Sequence, residues 1–206
     1  MQRKSAIAIF FLMASLPLFS QVMESAKGGG MQQWTIGTGF SYFNPDYGSA
    51  HLAGGTLWLD ETPAMMPQFL RGLSIDFEAR DLSLDRSPNE IAVRVDTAGG
   101  GLIYRWTRFG KLRPYTKFTE SLGNYDYMTA YGTGKMHRYN AGRAVSGMGG
   151  GVEIRAYRAV WVRADYEYQY WPDFWISKAT PNGAAINPQG LTLGAIYHFG
   201  RDRRVY

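Results

Sequence analysis

From about residue 32 to residue 199 this chain places an apolar side chain at every second position, in segment after segment. A period of two is the signature of strands, whereas a helix would repeat every 3.6 residues. The clearest segment sets Val160, Val162, Ala164, Tyr166, Tyr168 and Tyr170 against Trp161, Arg163, Asp165, Glu167 and Gln169. Eight such segments can be marked: Gln33–Phe43, Ser49–Leu59, Gly72–Asp81, a fourth from Ile91 to Trp106, Arg113–Asn124, Gly142–Ala156, Val160–Tyr170 and Gly190–Phe199. The second has the weakest pattern, and the start of the fourth is blurred. Composition agrees, since 25 glycines and 15% aromatic residues suit strands and turns better than helices.

The connections alternate in length. Short joins at 109–112 and 157–158 are interleaved with long polar ones at about 82–90, 125–141 and 172–189. Up-and-down membrane barrels show this asymmetry, with short turns on the periplasmic side and long loops outside. Each segment also approaches the ~9–11 residues that a tilted strand needs to cross a hydrocarbon layer. The stretch Asp60–Leu70, with Pro63 and Pro67, is long for a periplasmic turn and has no place in this scheme.

The first twenty residues read as an export leader: Arg3 and Lys4, then an apolar run from Ala6 to Phe19 that stops at Ser20. Residues 21–199 then form the barrel, and 200–206 a short basic tail on the periplasmic side. Losing Arg3 and Lys4 lowers the formal charge from +5 to +3. That is too little to argue for nucleic acid, and no basic run is interleaved with aromatics. No later stretch reaches ~20 apolar residues, so any passage across a membrane must be made by strands. The chain has no cysteine.

Soluble and membrane barrels share the alternation, so charge placement must separate them. In a membrane barrel the apolar face meets lipid and the charged face fills the lumen. Parity assigns Asp76, Glu78, Glu153, Asp165 and Glu167 to the lumen together with Arg80, Arg105, Lys117, Arg155 and Arg163. Five acids balance five bases, as a narrow interior requires, because an unpaired buried ion costs several kcal/mol. Aromatics gather at strand ends, where an apolar body with a polar tip suits a bilayer interface: Trp34 and Tyr42, Trp58, Trp106, Tyr125 and Tyr127, Tyr170 and Trp171, Tyr197 and Phe199.

The last strand carries Thr-Leu-Gly-Ala-Ile-Tyr-His-Phe at residues 192–199. With Thr192, Gly194, Tyr197 and Phe199 in place, it resembles the terminal signal that outer-membrane assembly machinery recognises. With the leader and eight strands, the chain resembles the small-barrel family of the outer membrane protein A transmembrane domain and the opacity-type surface proteins. The resemblance implies an all-β fold, an eight-stranded antiparallel up-and-down transmembrane β-barrel in the bacterial outer membrane. Its surroundings would be outer-membrane lipid and lipopolysaccharide, and its assembly partner the barrel-assembly machinery. Gly200–Tyr206 continues past the usual aromatic end, and no second domain follows to anchor peptidoglycan.

Reaction chemistry is sparse. His51, His137 and His198 have no zinc-like spacing, and the glycines at 99–101 and 147–151 are followed by no phosphate-loop lysine. Neither a metal nor a cofactor is expected. No Ser lies two residues after a His, which argues against the lipid-modifying enzymes built on such barrels; Glu120, on the lipid side, is the one odd carboxylate. The expected role is non-enzymatic: a lumen filled by ion pairs, at most a narrow pore, and loops that would meet an extracellular ligand. Tyr125, Tyr127, Tyr131, Trp171, Phe174 and Trp175 are the contact candidates. The alternatives are a lipid-modifying enzyme and a small-solute porin.

Overall fold

A computed structural model describes residues 33–46, 51–63, 70, 72–84, 92–130, 136–172 and 185–199. The proposed leader and the tail after Phe199 lie outside the described residues. Eight strands follow one another around a closed barrel: β1 (Gln33–Asn44), β2 (Leu52–Thr62), β3 (Leu73–Leu84), β4 (Ala92–Arg105), β5 (Leu112–Ala130), β6 (Met136–Tyr157), β7 (Val160–Tyr170) and β8 (Gln189–Phe199). Every neighbour pair is antiparallel, and β1 pairs with β8 from Trp34↔Phe199 to Asn44↔Gln189, closing the ring. Within the ring of eight strands closure leaves no free sheet edge, which matters in lipid, where an unpaired backbone group has no water to turn to.

The two ends differ. At one, here the base, lie the start of β1, the end of β8 and two tight links. The β4–β5 link is a 3-10 turn at Thr107–Phe109 with Gly110 at φ 65°, and the β6–β7 link turns through Arg158 at φ 44°. At the other end, the mouth, β5 and β6 run on as a paired hairpin of 19 and 22 residues, from Leu112↔Ile154 to Ala130↔Met136. The stretch 125–141 is therefore largely strand and not a loop. Its polar residues hid this: Tyr125, Tyr127 and Ala141 keep the inner parity with the buried cluster, while Asp126, Arg138 and Asn140 put polar side chains on the parity that is apolar lower in the wall. The second strand also ends later than expected, at Thr62, which places Asp60 inside it.

The barrel is inside out relative to a soluble protein. Side chains on its outer surface include Phe40, Leu57, Leu102, Phe118, Leu122, Met148, Leu191 and Leu193, all more than 45% exposed. The interior meanwhile buries Asp60, Asp76, Glu78, Arg80, Arg105, Lys117, Glu153, Arg163, Asp165 and Glu167. A water-soluble barrel would reverse both assignments, since a continuous apolar belt of this kind is not left in water. Some of the aromatic girdle is as expected, with Tyr42, Trp106, Tyr170, Tyr197 and Phe199 outward at strand ends. Trp58, Tyr125 and Trp171, in contrast, turn inward and are buried.

Candidate functional site: a lumen filled in three tiers

Strand parity alone aims the lumen residues. On β7 the odd residues Trp161, Arg163, Asp165, Glu167 and Gln169 are buried, and the even ones face outward. Facing strands supply partners at matching heights.

Nearest the mouth, Arg80 of β3 donates to Glu167 at 3.0 Å, pairs with Glu78 two residues away, and its Nε donates to Thr56 at 3.2 Å. Beside it the Lys117 ammonium touches three carboxylates at once: Glu78 at 2.6 Å, Asp165 at 2.7 Å and Glu167 at 2.5 Å. Oxygens of these three acids lie within 4.8 Å of one another, a spacing that would suit a cation. Lys117 Nζ supplies that cation itself.

Below this tier Arg163 lies between aromatic rings, its guanidinium carbon 4.6 Å from the Trp58 ring and 4.8 Å from that of Tyr115. Its Nε donates to the Tyr115 hydroxyl at 3.0 Å, and its longer ion contacts reach Asp60 (3.5 Å), Asp165 (3.8 Å) and Asp76 (3.9 Å). Arg105 bridges Glu153 (2.8 Å) and Asp60, and donates to Ser74 at 3.2 Å. Nine of the ten residues assigned to the lumen by parity thus share one network. Arg155 is the exception: a register shift lies between Arg155 and Tyr157, and its Nε donates to the Arg158 carbonyl at the base. Asp60 joins in its stead. Thr56, Trp58 and Asp60 share one parity, which was the signal for it, but the glycines at 54–55 and the prolines beyond masked where β2 ends.

Asp60 and Asp76 face each other directly in the β2–β3 register. Neither Asp76 oxygen, nor Asp60 Oδ1, has a hydrogen-bond donor among the described residues. Like charges opposed across a pair are unfavourable by roughly 0.2–1 kcal/mol. Asp76→Asn, whose amide can donate to Asp60, is expected to leave stability unchanged or raise it by up to about 1 kcal/mol. Guanidinium unfolding in detergent micelles, beside Asp60→Asn as the costly control, checks this.

The ion network is capped at both ends by apolar side chains. Towards the mouth, Phe43, Leu52, Tyr125, Val145, Trp171 and Ile186 belong to one buried cluster. Trp171 and Ile186 reach it through a two-residue bridge, with Trp171 N to Ile186 O at 3.0 Å. The Trp171 ring occupies the space that a Cβ on Gly123 would need. Its Nε1 donates to Gln169 (2.9 Å), and Gln169 donates to Glu167 (2.7 Å), joining cap to ion tier. Towards the base, Trp58, Trp161 and Ile196 form a second cluster, with Arg113 stacked 4.1 Å over Trp161 and His198 edge-on to it.

Two contact candidates are therefore relocated: the Tyr125 and Trp171 side chains are buried inside the barrel and not at its surface. Their odd numbers match the lumen parity of β5 and β7, but residue type suggested a girdle. Tyr127 packs half-buried against the same cluster, while Tyr131, Phe174 and Trp175 lie outside the described residues. The terminal motif lies on the closure seam. Thr192 Oγ1 meets Ser41 Oγ at 2.7 Å, Gly194 sits opposite Gly39 against Trp58, and Tyr197 and Phe199 meet edge to face at 4.8 Å. Glu120 is exposed on the outer face, opposite Gly100 and Ser146, while His198 points inward to Thr35 at 2.8 Å.

No protein-family description and no curated protein sequence matches the chain. Among solved structures it is similar to neisserial surface protein A, at 14% identity and TM-score 0.56, over 83% of this chain and 99% of that one. A major outer membrane protein of Thermus thermophilus is similar at 10% identity and TM-score 0.56, over 82% of this chain and 100% of that one. The fold is that of the small eight-stranded outer-membrane barrels, as the terminal motif and strand count implied.

Proposed function

We propose that the protein is an integral outer-membrane barrel with a closed lumen, whose work is structural or is done at its outer surface. The observation that carries this reading is the three-tier filling of the lumen, apolar cluster, ion network and apolar cluster in series. Eight strands leave an interior that side chains can fill, and here they do so with bulky rings at both ends. The base lies in the periplasm, because the short links and both strand termini sit there. The long β5–β6 hairpin then stands outside, stiffened above Asn124 where Asn140 donates to Asp126 at 2.5 Å and Arg138 pairs with the same carboxylate. An extracellular ligand would meet this hairpin and its neighbours. The enzyme alternative is disfavoured because Glu120 and His198 are on opposite faces of the wall.

Conductance in a planar lipid bilayer tests the reading. The refolded protein, shown to be inserted, is expected to give no steady openings. Small steady openings that change in a Lys117→Ala, Arg163→Ala variant would establish a pore instead. Failure to insert would overturn the membrane assignment.

A further inference from the structure

The outer wall is not uniformly smooth. Tyr104, Thr116, Gly150 and Tyr166 lie in one row across β4–β7, each paired with the next. The two inner members are small, so the row sinks between two tyrosine rings. Phe118 and Met148 of the next row close the hollow on the mouth side, giving a groove of about 570 Å³ on the outward face. Towards the base the following row is Trp106, Pro114, Val152 and Ala164; the indole stands edge-on to Tyr104 at one side, and the other three raise only a low wall.

Beneath the open end of this groove, the two short links carry only cations. No Asp or Glu occurs from Trp106 to Thr116 or from Ile154 to Val162, while Arg108, Lys111, Arg113, Arg155 and Arg158 do. Arg113 turns inward onto Trp161, but Arg108, Lys111 and Arg158 are exposed at the base. The links are tied together, Arg155 N donating to Lys111 O at 2.9 Å, so the positive charges come from one rigid corner. Arg158 lies 5.1 Å over the Tyr157 ring, but the exposed like charges of this corner repel one another, and an anion held there would offset that repulsion.

We propose that this corner and the groove above it form a binding site for an anionic phospholipid of the periplasmic leaflet, with its phosphate on Arg108, Lys111 and Arg158 and one acyl chain between Tyr104 and Tyr166. The inference rests on the reading of the barrel as membrane-spanning with its base in the periplasm. Dimensions agree. Thr116 is five residues from Lys111, about 17 Å along the strand at ~3.4 Å per residue. With the strand tilted about 40° from the barrel axis, the groove lies roughly 13 Å above the links, near the middle of a ~25 Å apolar belt. A chain of membrane lipid reaching inward from the headgroup level ends there.

The test uses spin-labelled phosphatidylglycerol and phosphatidylcholine at trace level in phosphatidylcholine vesicles that hold the refolded protein. The fraction of each label that is motionally restricted is read by electron spin resonance. Phosphatidylglycerol is expected to be preferred at least about fivefold at low salt, the factor that even a single Lys or Arg near an anionic headgroup contributes. An Arg108→Gln, Lys111→Gln, Arg158→Gln variant should lose the preference, and 1 M salt should weaken it. Thr116→Trp, which fills the groove from an exposed position, should reduce it while leaving the three cations in place. Equal restriction of both lipids, or a preference that survives the triple substitution, overturns the site. A preference untouched by Thr116→Trp overturns the acyl-chain half. Binding of purified peptidoglycan through the same three residues, without any lipid preference, would make the wall polymer the partner and overturn the lipid assignment. Absence of restricted lipid of either kind would instead overturn the membrane reading on which the site rests.

Discussion

A Lys117→Met barrel is expected to lose about 3–5 kcal/mol of stability, or to fail to reach the compact form at all. Methionine fills nearly the same volume, so packing is preserved and the change falls on charge. The ammonium is within 2.7 Å of Glu78, Asp165 and Glu167, and no other described side chain touches all three. Removing it leaves Arg80 to hold Glu78 and Glu167, with Asp165 only 3.8 Å from Arg163. Three buried carboxylates in that state repel one another in a low-dielectric interior. Guanidinium unfolding in micelles, followed by the shift between compact and unfolded forms on a gel, measures the loss. Two companion results separate the charge explanation from simple damage. Adding Glu78→Gln to Lys117→Met should recover part of the stability, as coupled neighbours do. Calcium should also rescue the single variant, because ligand oxygens within 4.8 Å of one another match a cation bound at about 2.3–2.6 Å. A Lys117→Met protein as stable as its parent would mean that the network is solvated and not tightly paired.

Trp171→Ala is expected to cost about 3–5 kcal/mol, the usual range for truncating a buried large aromatic. The ring is fully buried, meets Tyr125 edge to face at 5.7 Å, and hands a hydrogen bond to Gln169. Gly123→Val should cost a similar amount for the opposite reason, since its side chain would need the room the indole fills. The informative variant combines them. If ring and glycine are two halves of one fit, valine partly refills the space left by the indole, and the double loss falls well below the sum of the single ones. Additive losses would show that Gly123 is required for the backbone path and not for the ring. Unfolding in the same micelles supplies all three numbers.

Parity along the strands made most of this architecture readable before any coordinates. It gave the strand count, the outward belt and nine of the lumen charges, because lipid on one side and a packed interior on the other enforce the period of two. The misreadings arose where that rule was overridden or had no physical cause. Residue type makes Trp58, Tyr125 and Trp171 interface aromatics, although each has the parity of the lumen residues on β2, β5 or β7. Above Asn124 the hairpin exchanges its apolar outer parity for a polar one, with Asp126, Arg138 and Asn140, and so reads as a loop. Arg155 kept the right parity yet lies where the β6–β7 register shifts, so its guanidinium folds back onto the turn. The groove on the outer wall was not legible at all. It depends on two small residues, Thr116 and Gly150, coming to the same height between Tyr104 and Tyr166 of the flanking strands, and that is a property of register and not of any one segment.

The seam between β1 and β8 has a consequence for how the molecule comes into being. Ser41 and Thr192 touch across 151 residues of chain, and every contact of that seam spans a comparable separation. The other seven ladders join consecutive strands, so this single seam carries the largest loop-closure cost and is the last to form, which slows unaided folding. Until the final strand arrives, the first presents a bare edge, and Trp58 lacks the glycine floor that Gly194 completes. The interval between emergence of the first strand and arrival of the last is therefore the molecule's most vulnerable moment, when an escort that shields the open edge would be of greatest use.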